Sequence, residues 1–217
     1  MGIAAIVVIV SPRVFFQNGG ASNWAEYIQF LGFALILLGQ IIRVSARGYK
    51  AEHSQDSQAL IQGGPYQVVR NPMYLGIFLI GLGVVLAVFK WWVAGIFSLV
   101  FMIRYLTLIF QEEKKLRSFF PQSYPQYCQS VPRILPKITS LMKLDLGAYL
   151  PMKIIWFQKE IGSMITLFAL LLLAKLWMGL RAGKIQLFLE QLLGLGLIFI
   201  LSLIFIWILS KRTAKIK

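Results

Sequence analysis

Residues 73–110, MYLGIFLIGLGVVLAVFKWWVAGIFSLVFMIRYLTLIF, hold two apolar runs, Met73–Phe89 and Trp91–Phe110, separated by little more than Lys90. Each run approaches the ~20 residues that an α-helix needs to cross a bilayer. So short a connection leaves an antiparallel helical hairpin as the only arrangement. Trp91 and Trp92 belong at the level of the membrane–water interface, where aromatic rings present an apolar body to lipid and a polar edge to water.

The same pattern continues on both sides. A span is expected at Trp24–Val44 upstream, and two more at Ile161–Leu180 and Gln191–Leu209 downstream. The first run, Met1–Phe16, is interrupted by Ser11, Pro12 and Arg13. It lacks a basic leader and a small-residue cleavage site, so it reads as a short or broken span rather than a signal peptide. With 58% hydrophobic and 14% charged residues, a chain of this length could not cover itself as a soluble domain. The fold class is therefore all-α, a polytopic integral membrane protein of five to six transmembrane helices. Ala25, Gly32, Gly39 and Ala46 recur every seven residues and make a smooth stripe where another helix can approach closely.

The formal net charge is +14. Its Lys and Arg residues lie in short connections beside apolar runs, which points to topology and anionic lipid headgroups, not nucleic acid. The expected connections 43–70 and 111–160 and the tail SKRTAKIK carry sixteen basic residues, against three (Lys90, Arg181 and Lys184) on the opposite side. By the positive-inside rule, both polar segments and the C-terminus face the cytoplasm, and the expected location is the cell inner membrane. One cysteine, Cys128, and one histidine, His53, exclude an intrachain disulfide and the multi-cysteine or His-rich metal sites, so no metal is expected. Three regions follow: N-terminal helices and a loop (1–59), a central region (60–136), and an interfacial helix with two C-terminal spans (137–217). Ile138, Leu141, Met142 and Leu146 have the spacing of a helix lying on the membrane surface.

Two polar segments meet the ends of the central hairpin on one face. The first, GGPYQVVRNPMYLG (63–76), turns sharply at Gly63–Gly64–Pro65. Pro72 suits the first turn of a helix, and Asn71 before it can cap that helix through its side chain. Arg70 adds a planar, permanently charged fork at a helix N-terminus, a place that favours anions. The second segment is QEEKKLRSFFPQSYPQYCQSVPRILP (111–136). Counting helical positions puts Glu112 on one face with Leu116, Phe119 and Phe120, while Glu113 sits four residues before Arg117 as a solvent ion pair. On that count Glu112 faces the apolar side and needs a cationic partner. Glu52, His53 and Ser54 read as solvated loop. Arg104 lies inside Trp91–Phe110, where an arginine lines a cavity, meets an anion or snorkels to the headgroups.

Together, G-P-Y-x-x-V-R-N-P-M-Y-L-G and E-E-x-x-L-x-x-F-F-x-x-x-Y-x-x-Y-x-x-x-V-P-R resemble the isoprenylcysteine carboxyl methyltransferase family and are similar to the related membrane phospholipid methyltransferases. The resemblance covers about residues 60–136. It implies an integral-membrane enzyme that uses S-adenosylmethionine without a Rossmann fold. By position, Tyr66, Arg70, Asn71, Pro72 and Tyr74 would form one wall of the cofactor site. Glu112, Glu113, Tyr124, Tyr127 and Arg133 would form the other, with Leu116 and Phe120 beneath. Arg70, Glu112 and Arg104 are the candidate catalytic residues. The acceptor implied is lipidic or a small apolar carboxylate, amine or thiol reaching the site from the bilayer, and the oligomeric state stays open. Asn71 stands where the family usually has histidine and Pro121 where glycine is frequent, which loosens the substrate assignment. An alternative is an NADPH-dependent reductase similar to the sterol reductases, which share the Arg-His-Pro-x-Tyr element. A third reading is a scaffold that keeps the fold without activity.

Overall fold

The computed structural model describes residues 15–16, 23–54, 60–136 and 149–182, with isolated positions beyond 191. Five α-helices follow in order: α1 (Asn23–His53), α2 (Pro72–Val88), α3 (Trp91–Phe119), α4 (Ser123–Ser130) and α5 (Ile154–Ala182). A 3-10 turn, Gly64–Gln67, precedes α2. Among the described residues three helices are long and apolar enough to cross a membrane, Trp24–His53, Trp91–Phe119 and Ile154–Leu180. Pro72–Val88 is a shorter apolar helix of 17 residues, at the lower limit for a span. The expected first run apart from Phe15 and Phe16, the surface helix near Ile138–Leu146 and the Gln191–Leu209 span lie outside the described residues as elements.

α1 and α2 are joined backbone to backbone. Gly32 and Gly39 on α1 face Gly83 and Gly76 on α2, so the two helices run antiparallel. A Cβ built on Gly39 would stand 2.6 Å from the carbonyl oxygen of Gly76, and one on Gly76 would stand 2.8 Å from that of Gly39. Without side chains there, the two main chains approach closely enough for Cα–H···O contacts and continuous dispersion. The seven-residue stripe thus does what its spacing implies, with glycines answering it on the facing helix. The hairpin of α2 and α3 also forms as expected. Phe89 ends α2 through its N–H to Val85 O (2.8 Å), and Val93 N–H returns to Lys90 O (3.0 Å).

α1 does not stop at Val44 but continues to His53, so Ser45–His53 are helix and not connecting loop. The reason lies on α5 and its lead-in, where Ser45, Arg47 and Glu52 of this extension find partners. Ser45 Oγ donates to Pro151 O (2.8 Å) and Lys153 Nζ reaches Glu52 (2.6 Å). Arg43 and Arg47 both pair with Glu160, at 3.0 and 2.5 Å. The His53 ring stacks on Tyr49. Val44, Met152, Trp156 and Met164 pack between α1 and α5 at this end. Ile36 and Leu171 pack with Ala87 and Val88 of α2 further along.

Candidate active site

The first polar segment returns from α1 through a turn that only glycine makes easily. Gly64 has φ 57, and a Cβ on it would lie 2.9 Å from the Tyr49 ring, so both backbone and space require glycine. Pro65 follows, and the chain then extends to Asn71. There it pairs, main chain to main chain, with the end of the second segment: Arg70 N–H donates to Pro132 O (2.8 Å) and Asn71 N–H to Arg133 O (3.2 Å). The Asn71 side chain reinforces this by donating from Nδ2 to Arg133 O (3.1 Å). Asn71 therefore occupies the N-cap position of α2 without capping it through its side chain, contrary to expectation. Its amide is used on the opposite segment instead. Pro72 takes the first turn of α2, as its missing N–H favours.

The ion cluster of the site centres on Glu113. Arg133 donates to it through both Nε and Nη2, each at 2.9 Å, the bidentate fork that planar guanidinium and carboxylate make best. Arg70 Nη1 lies 3.2 Å from the same carboxylate and donates to Cys128 Sγ at 2.6 Å. Arg70 and Glu113 are 11% and 12% exposed in their side chains, so the pair is largely withdrawn from water. The Arg133 guanidinium also lies 4.7 Å above the Phe110 ring, and its hydrogen bonds to Glu113 raise its already high pKa. Arg70 Nε is buried with no hydrogen-bond partner among the described residues.

Glu112 and Glu113 exchange the places expected from counting along the helix. Glu112 is exposed and accepts a hydrogen bond from the Tyr74 hydroxyl (2.9 Å). The inner stripe of α3 runs through Ile109, Glu113, Leu116 and Phe120, with Ile109 fully buried. Phe119, counted on the inner face, is 75% exposed. The apolar residues at 119 and 120 allow either phase, and the arginines at 70 and 133 select the second. No ion pair joins Glu113 to Arg117 among the described residues. Arg104 is exposed on α3, and no described side-chain contact brings it to the cluster.

Tyr124 and Tyr127 form a floor instead of open walls. They are 1% and 6% exposed and pack with Val131, Leu60, Leu116, Phe120 and Cys128. The Tyr127 hydroxyl donates to Tyr66 O (2.6 Å), and the Tyr66 hydroxyl reaches Ala46 O at a long 3.5 Å. Burial, then the neighbouring Glu113 and Cys128, pushes the Tyr124 hydroxyl up to about 12 despite the opposing Arg70 charge. Burial likewise raises Tyr66, with Glu112 adding to it, and Tyr127. All three hydroxyls therefore keep their protons near neutrality and act as donors. Cys128, which sequence reasoning did not count among the site residues, touches Arg70. The four-residue spacing from Tyr124, which puts both on one face of α4, was the available signal.

The residues at this face suit the groups of S-adenosylmethionine. A guanidinium with a free buried N–H (Arg70) matches a carboxylate, an exposed carboxylate (Glu112) matches an ammonium or ribose hydroxyls, and the half-buried rings of Tyr66 and Tyr74 match adenine or a sulfonium. Among the described residues no group of three or more His, Cys, Asp or Glu is placed to hold a metal ion.

Residues 27–123 match the phospholipid methyltransferase family. Among curated proteins, the chain is similar to protein-S-isoprenylcysteine O-methyltransferase B of Arabidopsis thaliana, 28% identical over 142 residues that cover 62% of this chain and 71% of that protein. Protein-S-isoprenylcysteine O-methyltransferase of Schizosaccharomyces pombe is 36% identical over 116 residues, 50% of this chain and 48% of the relative. A probable protein-S-isoprenylcysteine O-methyltransferase of Oryza sativa subsp. indica is 28% identical over 120 residues, 52% of this chain and 63% of the relative. No solved structure matches the chain. The family match ends where α4 begins, short of Arg133 and the whole of α5.

Proposed function

We propose that the chain, which is similar to isoprenylcysteine O-methyltransferases and matches the phospholipid methyltransferase family over residues 27–123, methylates the carboxylate of a lipidic acceptor, using S-adenosylmethionine, at the cytoplasmic face of its membrane. The observation that carries this reading is the clamp around Glu113. Arg70 and Arg133, from segments on either side of one helical hairpin, share a single carboxylate. Such a cluster fixes two guanidinium forks without flexible side-chain motion and leaves a net positive charge to meet anionic groups. Sixteen basic residues against three support the cytoplasmic assignment.

The chain's own contribution is positioning and exclusion of water. Arg70 would hold the cofactor's carboxylate through its spare N–H, and Glu112, still open to solvent, its ammonium or ribose. The buried tyrosine floor would support the adenosine side. Bound S-adenosylmethionine supplies an activated methyl group for an in-line displacement. A carboxylate nucleophile needs no general base, which agrees with a site whose buried acid is already committed to two arginines. The reductase alternative gains no support from the comparisons.

Calorimetric binding of S-adenosylhomocysteine and of NADPH to the detergent-purified chain separates the readings. Micromolar binding of the first and none of the second is expected. NADPH binding alone would overturn the proposal, and transfer of labelled methyl to N-acetyl-S-farnesylcysteine would identify the acceptor atom class.

A further inference from the structure

The pattern of two guanidinium groups on one carboxylate occurs a second time, away from the candidate site. Where α1 meets α5, Glu160 pairs with Arg43 (3.0 Å) and with Arg47 (2.5 Å). Arg43 also donates to the Ser163 hydroxyl (3.4 Å), which itself donates to the Glu160 carbonyl (3.0 Å). The Glu160 side chain is only 5% exposed, so the acid is sealed beneath its partners. Arg47, by contrast, is 57% exposed. It spends Nη1 on Glu160, and its other N–H groups have no partner among the described residues.

Charge at this junction is not balanced. One carboxylate serves two guanidinium groups, and exposed Lys159, beside Glu160 on α5, adds a third cation. The neighbouring Glu52 is taken by Lys153, which reaches both its oxygens at 2.6 Å. Arg43 and Arg47 are the first basic residues after the apolar run of α1, and Lys159 is the last before that of α5. All three therefore belong at the level of the lipid headgroups. Lys159, Ser163 and Leu170 share one flank of α5 by their helical spacing, and all are exposed. That flank passes from cation to hydroxyl to leucine, in the order in which a phospholipid passes from phosphate to acyl chain.

We propose that the junction of α1 and α5 binds the headgroup phosphate of an anionic phospholipid, which bridges the two helices. Basic residues that only mark topology are free to move, whereas Glu160 and Ser163 hold these two guanidinium groups in place. Little side-chain freedom is then lost when a phosphate arrives at their remaining donors. Lys159 adds a point charge, and Leu170 offers apolar surface to the start of an acyl chain. A zwitterionic headgroup would bring its own cation against Arg47 and Lys159, so the junction favours a lipid of net negative charge. This lipid fastens α5 and takes no part in methyl transfer, so the proposal stands apart from the catalytic reading above.

The full chain is purified in mild detergent, stripped of lipid, and titrated with phosphatidylglycerol, phosphatidylcholine or inorganic phosphate. Native mass spectrometry reads the lipid retained, and thermal melts read its effect on stability. Phosphatidylglycerol is expected to stay bound under activation that strips phosphatidylcholine, and to raise the melting temperature where the other two do not. Arg47→Gln combined with Lys159→Gln weakens phosphatidylglycerol retention about tenfold or more, as the loss of two headgroup-level cations implies. Circular dichroism checks that the double variant keeps its helices. Should it fail to fold, Lys159→Gln alone, at an exposed position, is expected to weaken retention severalfold. Lys115→Gln, an equally exposed cation on α3, leaves retention and the melting increment unchanged. Equal retention of both lipids, or equal retention by wild type and the Arg47 and Lys159 variants, overturns the proposal. So does an equal loss in Lys115→Gln, which would reduce the effect to overall charge. A melting increment reproduced by inorganic phosphate alone also overturns it, since the junction would then take a free anion and not a lipid.

Discussion

At Glu113 a single carboxylate holds two guanidinium groups, and its side chain is only 12% exposed. Removing its charge leaves Arg70 largely buried without a counter-ion, whereas Glu112 loses only one hydrogen bond at the surface. Glu113→Gln is expected to destabilise the protein by about 2–4 kcal/mol and to weaken S-adenosylhomocysteine binding more than Glu112→Gln does. Thermal unfolding and calorimetry of the two variants in one detergent check this, and a larger effect at Glu112 would refute the assignment. That the Glu–Glu pair returns to the level of Arg70 and Tyr74 was legible in the sequence, since it sits one hairpin away. Which one turns inward was not. Counting along a helix places residues relative to one another, but the phase is set by partners distant in sequence, here Arg70 and Arg133.

The helices themselves were the most legible level, because apolar runs and a one-residue connection leave few alternatives. Glycine at seven-residue intervals on α1 indicated a close contact, and Gly76 and Gly83 on α2 supply the other half. Gly39→Val would drive a branched side chain into the carbonyl of Gly76, only 2.6 Å from where its Cβ must go. We expect a loss of about 1–3 kcal/mol or more from overpacking. A Cβ at Gly95 meets nothing within 4 Å, so Gly95→Ala leaves the melting temperature unchanged or higher. Parallel melts followed by tryptophan fluorescence test the contrast, and similar losses at both sites would contradict the α1–α2 contact. The length of α1 was misread for a related reason. Polar residues after Val44 look like loop when their partners are more than a hundred positions away.

For the molecule as a whole, α5 lies beyond the family match, yet it is fastened to α1 near both ends. Glu160 is 5% exposed in its side chain and meets Arg43 and Arg47. Towards the other end, buried Lys175 donates to Gln29 Oε1 (2.9 Å). In the sequence Glu160 was one acid in a basic stretch, with nothing to name its partners. Glu160→Gln should cost about 2 kcal/mol or more, speed proteolysis between α4 and α5, and spare S-adenosylhomocysteine binding. Loss of that binding together with α5 docking would show instead that α5 belongs to the site.

The pairing of Arg70 and Asn71 with Pro132 and Arg133 has a wider consequence. Hydrogen bonds between peptide groups are indifferent to side-chain identity, so the spacing of the two halves survives most substitutions along them. The frame of this face is thereby separated from its chemistry. Asn71 reaches the Arg133 carbonyl with both its main chain and its side chain, so a substitution at position 71 can change what the face presents without rebuilding the scaffold.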